Sequence, residues 1–387
     1  MRERQKVQEV PRRGSRVRGR TAATALAVVL LFALAALVAN VLRHPQYTPD
    51  GIVYARYAAR DAGQSERDAT LAARSFYEKT PMMAVPRYRT LIELDPAVSF
   101  ARSHVFENRV LYPWIVSILL PVAGFRALFV VSAVSYIAFG VALFWLLAGF
   151  GRPWLAALLA IIALALPLTR ALAASDLTDM LAAVWWTVAL GALLRLMRRQ
   201  NISLLTTLAV ASVLLVLTRP TPYLIVVPAL VAAALRGAWM PVLASCAGLV
   251  AYAIVAVLTH AYGAGEQLRW VYSHEPQAVN RSFNAWYRSA LGSTVRYVIV
   301  QAVRTVVPVL LLAAGMYGAV RGRLRDEMIV LLAAVVACLI SVPFNPVPSA
   351  IARVVVFPLV PVFCAIAQCF AVAVLFEKKA APELATP

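Results

Sequence analysis

Thr21–Leu42 reads TAATALAVVLLFALAALVANVL, with no charged side chain anywhere in it. About 20 consecutive apolar residues suffice for a helix to cross the hydrocarbon core of a bilayer. The run is too long for a signal-peptide core, and no small-residue cleavage site follows it, so it reads as a signal anchor. Ahead of it, residues 1–20 carry Arg2, Arg4, Lys6, Arg12, Arg13, Arg16, Arg18 and Arg20 against Glu3 and Glu9, without a hydrophobic pattern. Such a stretch reads as a disordered basic tail that stays on the cytoplasmic side.

Outward from this segment the pattern repeats. The chain of 387 residues is 61% hydrophobic and only 14% charged, with a mean hydropathy of +0.75. A soluble domain carries charge at about a quarter of its positions. Further apolar runs lie near 126–150, 153–169, 178–195, 202–218, 221–235, 239–261, 297–319, 328–343 and 354–376. The expected fold is therefore an all-α polytopic membrane bundle of about ten spans over residues 21–376, with a tail at 377–387. Continuous rather than alternating apolar stretches exclude a β-barrel. The pair 202–218 and 221–235 is short, and its hinge at Thr218–Pro222 leaves a re-entrant turn open.

The even number of spans places both termini in the cytoplasm. The inner connections then hold Arg152, Arg195/Arg198/Arg199, Arg236, Arg321/Arg323/Arg325 and Lys378/Lys379, as the positive-inside rule requires. The net charge of +19 is thus accounted for by topology and anionic lipid, and no nucleic-acid partner is implied. Cys246, Cys338, Cys364 and Cys369 all fall in apolar segments, without metal-ligand spacing.

The exception to this hydrocarbon is the first outer loop, 43–125. Between Arg43 and Arg109 it holds Asp50, Asp61, Glu66, Asp68, Glu78, Glu93, Asp95 and Glu107, 8 of the 18 acidic residues. Ile52, Tyr54, Ala55 and Ala58/Ala59 recur at helical spacing, and Ser65-x-x-Asp68 has the form of a helix start. Arg109–Val122 (RVLYPWIVSILLPV) is apolar but short, and fits a helix lying in the outer interface. A second outer loop, 262–296, is polar and aromatic.

Three groups of residues carry chemistry. Asp50, in Tyr47–Tyr54 (YTPDGIVY), is either a turn residue or a general base at the membrane surface. Asp176 and Asp179, three residues apart in Ser175–Asp179, either cap a helix or form a polar site for a hydroxyl or cation, since carboxylates at a span end are costly without partners. Arg170, Arg219, Arg304 and Arg353 adjoin or interrupt apolar runs on the outer side. They either snorkel or offer guanidinium forks to a phosphate.

These groups, in this order, resemble the GT-C glycosyltransferases, polytopic enzymes that take a sugar from a polyprenyl-phosphate carrier. The likeness extends to the bacterial group related to protein mannosyltransferases and aminoarabinose transferases. It rests on Tyr47–Arg56, Arg109–Trp114, Ser175–Asp179, Leu217–Thr221 and Ala352–Pro358, and covers roughly residues 20–375. The resemblance implies catalytic roles for Asp50 and for Asp176 or Asp179. It also implies a substrate site that includes Tyr54, Arg109, Arg170, Arg219, Arg304 and Arg353, and a glycan, lipid or protein acceptor. No Asp-x-Asp pair is present and no metal ligand set is assigned; a divalent cation stays open. The alternatives are a transporter or flippase for a lipid-linked anion, and a catalytically silent relative.

Overall fold

The computed structural model describes residues 13–41, 45–84, 106–150, 152–261, 264–274, 281–304, 325–340 and 357–368. Within them the chain is helical, and the one extended contact is a parallel bridge between Gln46 and Ser175. Gly19–Ala39, Leu111–Ala148, Asp179–Arg198 and Met240–Thr259 are long and apolar enough to cross a membrane, and one bent pair makes a fifth candidate. The architecture is thus an α-helical membrane protein; three further apolar helices are shorter, and several of the ten expected spans fall partly outside the described residues.

The first span is α1 (Arg13–Ala36). The polar loop then folds into a hairpin of α2 (Pro49–Asp61) and α3 (Glu66–Glu78). Both starts follow from their caps. Thr48 accepts from the Gly51 amide with Pro49 at the first position, and Ser65 accepts from the Asp68 amide while donating to its carboxylate at 2.6 Å. Small buried residues, Ala58, Ala59, Ala69 and Ala73, let the two helices lie close, and Arg56 pairs with Glu66 across them.

Next come α4 (Leu111–Ala123) and α5 (Ala127–Ala148). A single 3-10 turn at Gly124–Arg126 joins them, and the two form one apolar run of 38 residues. The short apolar stretch 109–122 is thus helical from Leu111 and continues almost directly into the next helix. Gly124, with φ 54°, lets the chain pass Pro121 and resume helix at once.

The expected span 153–169 is broken. α6 (Pro153–Ala165) and α7 (Pro167–Ala173) meet at 68°. Leu166 sits before Pro167 with ψ 134°, the extended conformation that a following proline imposes. The break turns α7 toward the polar loop and sets up the acidic turn.

The centre of the bundle is α8 (Asp179–Arg198), buried along most of its length against α5 and α9 (Ile202–Thr218). α10 (Tyr223–Arg236) and α11 (Met240–Thr259) follow. A Cβ on Gly248 would stand 2.9 Å from the Ser212 carbonyl oxygen, so glycine permits the close crossing of α9 and α11. Part of the expected loop 262–296 is helical: α12 (Ala264–His274) precedes α13 (Phe283–Arg304). Tyr272 packs on Phe283 and Trp286 at 5.3 Å and donates to the Arg281 carbonyl at 2.6 Å, which folds the aromatic segment on itself. The described chain ends with α14 (Arg325–Leu339) and α15 (Phe357–Gln368).

The polar contacts sort to two ends of the bundle. At one end, Arg198 of α8 forks onto Glu327 of α14 at 2.7 and 2.8 Å, Gln368 of α15 donates to Glu327 at 2.7 Å, and Arg236 of α10 pairs with Asp326 at 2.8 Å. At the other end lie Asp179 and Arg219. α9 and α10 are separate apolar helices of 17 and 14 residues, shorter than the candidate spans.

Candidate functional site

The polar loop is fastened to the acidic turn through Asp176, which is fully buried. Its carboxylate accepts from the Thr48 amide at 3.1 Å, the Thr48 hydroxyl at 2.7 Å and the Tyr77 hydroxyl at 2.5 Å. Beside it the Gln46 amide donates to the Ala174 carbonyl at 2.8 Å. Gly51 is what lets α2 approach: a Cβ there would overlap both the Asp176 carboxylate and the Tyr77 hydroxyl. The hydrogen bonds of this latch offset part of the cost of burying the carboxylate. Burial pushes the Asp176 carboxyl up to about 6, against the hydrogen bonds from Tyr77 and Thr48 that pull it down. Burial, then the neighbouring Asp176 charge, raises the Tyr77 phenol well above its ordinary value.

Asp176 therefore does not cap α8; the N-cap residue Thr178 makes no side-chain capping bond either. Asp179, 1% exposed in the first turn of α8, pairs with Arg219 at the end of α9. The Arg219 guanidinium lies 5.7 Å from the Phe357 ring centroid, and the Phe357 carbonyl accepts from the Trp186 indole at 3.1 Å. The sequence offers Arg219 to a phosphate; the fold engages it with Asp179.

Asp50 is half-buried in the first turn of α2, directly after the latched Thr48. Tyr54, one turn on, is fully buried; its hydroxyl accepts from Arg109 at 2.5 Å and its ring packs edge-on against Tyr112 at 5.4 Å. Arg170 lies in α7, half-buried, and its Nε is buried without a hydrogen-bond partner among the described residues. The backbone of Arg304 belongs to α13, while its side chain lies outside the described residues, as does the whole of Arg353. The structure thus joins Tyr54 with Arg109 and Asp179 with Arg219.

Asp50, Tyr54, Tyr57 and Asp61 follow one another at helical spacing along one face of α2. Past the Tyr54–Arg109 contact this face opens into a cavity of about 440 Å³ whose wall includes Tyr57, Arg60, Asp61, Glu107, Arg109 and Trp114, with Leu217 from the end of α9. Arg60 sits 3.6 Å from Asp61 and 4.8 Å from the Tyr57 ring centroid. Burial, with Arg60 opposing it, raises the Asp61 carboxyl above its ordinary value. The Tyr57 phenol is raised too, by burial and then by the charge of Glu107. Its hydroxyl is buried without a hydrogen-bond partner among the described residues; a buried hydroxyl left so costs about 1–3 kcal/mol. Tyr57, Asp61 and Glu107 are absent from the candidates read in the sequence. The spacing of Tyr54, Tyr57 and Asp61 behind Asp50 is the signal that points to the first two.

Among the described residues no three His, Cys, Asp or Glu side chains converge to hold a metal ion. A cation beside Asp176 or Asp179 would share those carboxylates with Thr48, Tyr77 and Arg219. Comparison with protein-family models, curated proteins and solved structures finds no match to this chain.

Proposed function

We propose that the chain is an inverting membrane glycosyltransferase of the cytoplasmic membrane, with both termini inside. It would move a sugar from a polyprenyl-phosphate carrier to an envelope acceptor on the outer face, with Asp50 as the general base. The observation that carries this reading is the latch: Thr48 and Asp176, 128 residues apart, are hydrogen-bonded. It brings two stretches that carry the GT-C resemblance, Tyr47–Arg56 and Ser175–Asp179, to one end of the bundle. A general base needs a fixed position within hydrogen-bond reach of the proton it takes, and Asp50 is two residues from a backbone held in that way. Arg170, whose buried Nε has no hydrogen-bond partner among the described residues, would be the outer arginine that answers charge building on a departing lipid phosphate.

The bent pair α6 and α7 favours a second reading, a transporter of a lipid-linked anion, because discontinuous helices line many transporter sites. One experiment separates the two. Purified protein is reconstituted with polyprenyl-phosphate sugar, and transfer to acceptor is followed beside movement of the carrier between leaflets. Asp50→Asn keeps the side-chain volume and loses the base, so transfer should fall about 100-fold or more with the unfolding temperature unchanged. Carrier movement without transfer supports the transporter, and full transfer by Asp50→Asn refutes the assigned role.

A further inference from the structure

Among the described residues, the cavity between α2, α4 and the end of α9 is lined by opposite charges in equal number, Arg60 and Arg109 against Asp61 and Glu107. An entering phosphate or carboxylate would be drawn by the guanidinium groups and repelled by the carboxylates, so it gains no clear Coulombic advantage. A neutral polyol fits better. Guanidinium only donates and ionised carboxylate only accepts, whereas each hydroxyl does both, so adjacent hydroxyls can join the two kinds of side chain. Tyr57 adds an independent sign of a ligand. It is 3% exposed, stands in the cavity wall, and its hydroxyl has no hydrogen-bond partner among the described residues. Trp114 is 54% exposed and gives the same cavity an aromatic face. The volume, about 440 Å³, lies within the range of small-molecule sites.

We propose that this cavity binds a neutral sugar unit. Asp61 and Glu107 accept from its hydroxyls, Arg60, Arg109 and Tyr57 donate to them, and Trp114 covers the ring. The choice of a sugar among neutral polyols rests on the transferase reading. Tyr57 stands seven residues beyond Asp50 on α2, about 10 Å of helix rise. The unit held is therefore a non-reacting part of the acceptor, and its binding energy serves to position the hydroxyl that reacts.

The test uses the whole protein in lipid nanodiscs, because sugar-headed detergents would occupy the cavity. Isothermal titration follows octyl glucoside below its micelle-forming concentration, with octanol and octyl phosphate as chain-matched probes and empty discs subtracted. The expected result is saturable glucoside binding, with octanol and octyl phosphate weaker by about tenfold or more. Tyr57→Phe and Asp61→Asn should each weaken glucoside binding by about fivefold or more at an unchanged unfolding temperature. Octyl phosphate bound as tightly as the glucoside would overturn the proposal in favour of an anion site, and equal octanol binding in favour of an apolar groove. No saturable glucoside binding, or undiminished binding in both variants, would overturn it as well. The readout needs no turnover. Failure here beside intact Asp50-dependent transfer refutes the sugar cavity alone, whereas glucoside binding without such transfer supports the cavity and counts against the base.

Discussion

A carboxylate buried to 0% exposure makes Asp176 the residue whose titration the whole latch feels. Its folded value of about 6 stands above the ordinary 3.8, so between those pH values the folded chain binds more protons than the unfolded chain. Stability contributed by this group is therefore full below about pH 4 and lost as pH rises through 6, by about 3 kcal/mol. The unfolding midpoint of the parent should fall relative to Asp176→Asn as pH is raised from 4 to 7. A parent-minus-variant difference that is flat with pH would refute this. Asp61 shifts in the same direction, which is why the comparison is made against the single variant. The neighbouring Gly51 supplies a steric test. Gly51→Ala should destabilise by about 1–3 kcal/mol through overpacking against Asp176 and Tyr77. Gly265→Ala, where nothing lies within 4 Å of the added carbon, should be neutral or stabilising. Thermal unfolding in detergent measures both.

At the scale of elements, α8 and α9 are joined by an ion pair that neither helix could carry alone. Asp179 is 1% exposed and Arg219 8%. Removing one partner leaves a buried charge, so Arg219→Leu should cost about 3–5 kcal/mol, while Asp179→Leu with Arg219→Leu should recover most of it. A double-mutant cycle on chemical unfolding checks this, and additive costs would argue against a coupled pair. The start of α3 was legible in the sequence because its cap is local, Ser65 with Asp68, whereas Thr48–Gly51 reads as turn chemistry and proves to be the N-cap and first turn of α2. The engagements of Asp176 and Arg219 were not legible, since periodicity marks a face without naming what packs on it. The run 153–169 reads as one span through Pro167, and the 68° bend there was missed because apolar length alone does not register a break. Arg109–Val122 was legible as a short apolar helix, but the 3-10 turn that carries it into the next helix was not.

For the molecule as a whole, the described ion pairs and the latch separate into two ends, in keeping with a bundle whose middle is hydrocarbon. The Arg198–Glu327–Gln368 cluster fastens α8, α14 and α15 at the end opposite the latch. If the proposed orientation holds, Gln64→Cys, exposed between α2 and α3, should react in intact cells with a membrane-impermeant thiol reagent, above the background of the parent. Cysteine in place of exposed Gln200, between α8 and α9, should react only after lysis. The reverse pattern would invert the topology and remove Asp50 from the outer face.

The two fastenings also set a timetable for synthesis. Thr48 waits 128 residues for Asp176, and Arg198 waits 129 for Glu327, so the first interval closes before the second opens. At about 5–20 residues per second, Arg198 leaves the ribosome roughly 6–26 s ahead of its partner. The polar hairpin can be secured while the later helices are still being made. The order of the chain thus lets the first fastening form before the second can, and until Glu327 is made Arg198 is without the partner it has in the finished fold.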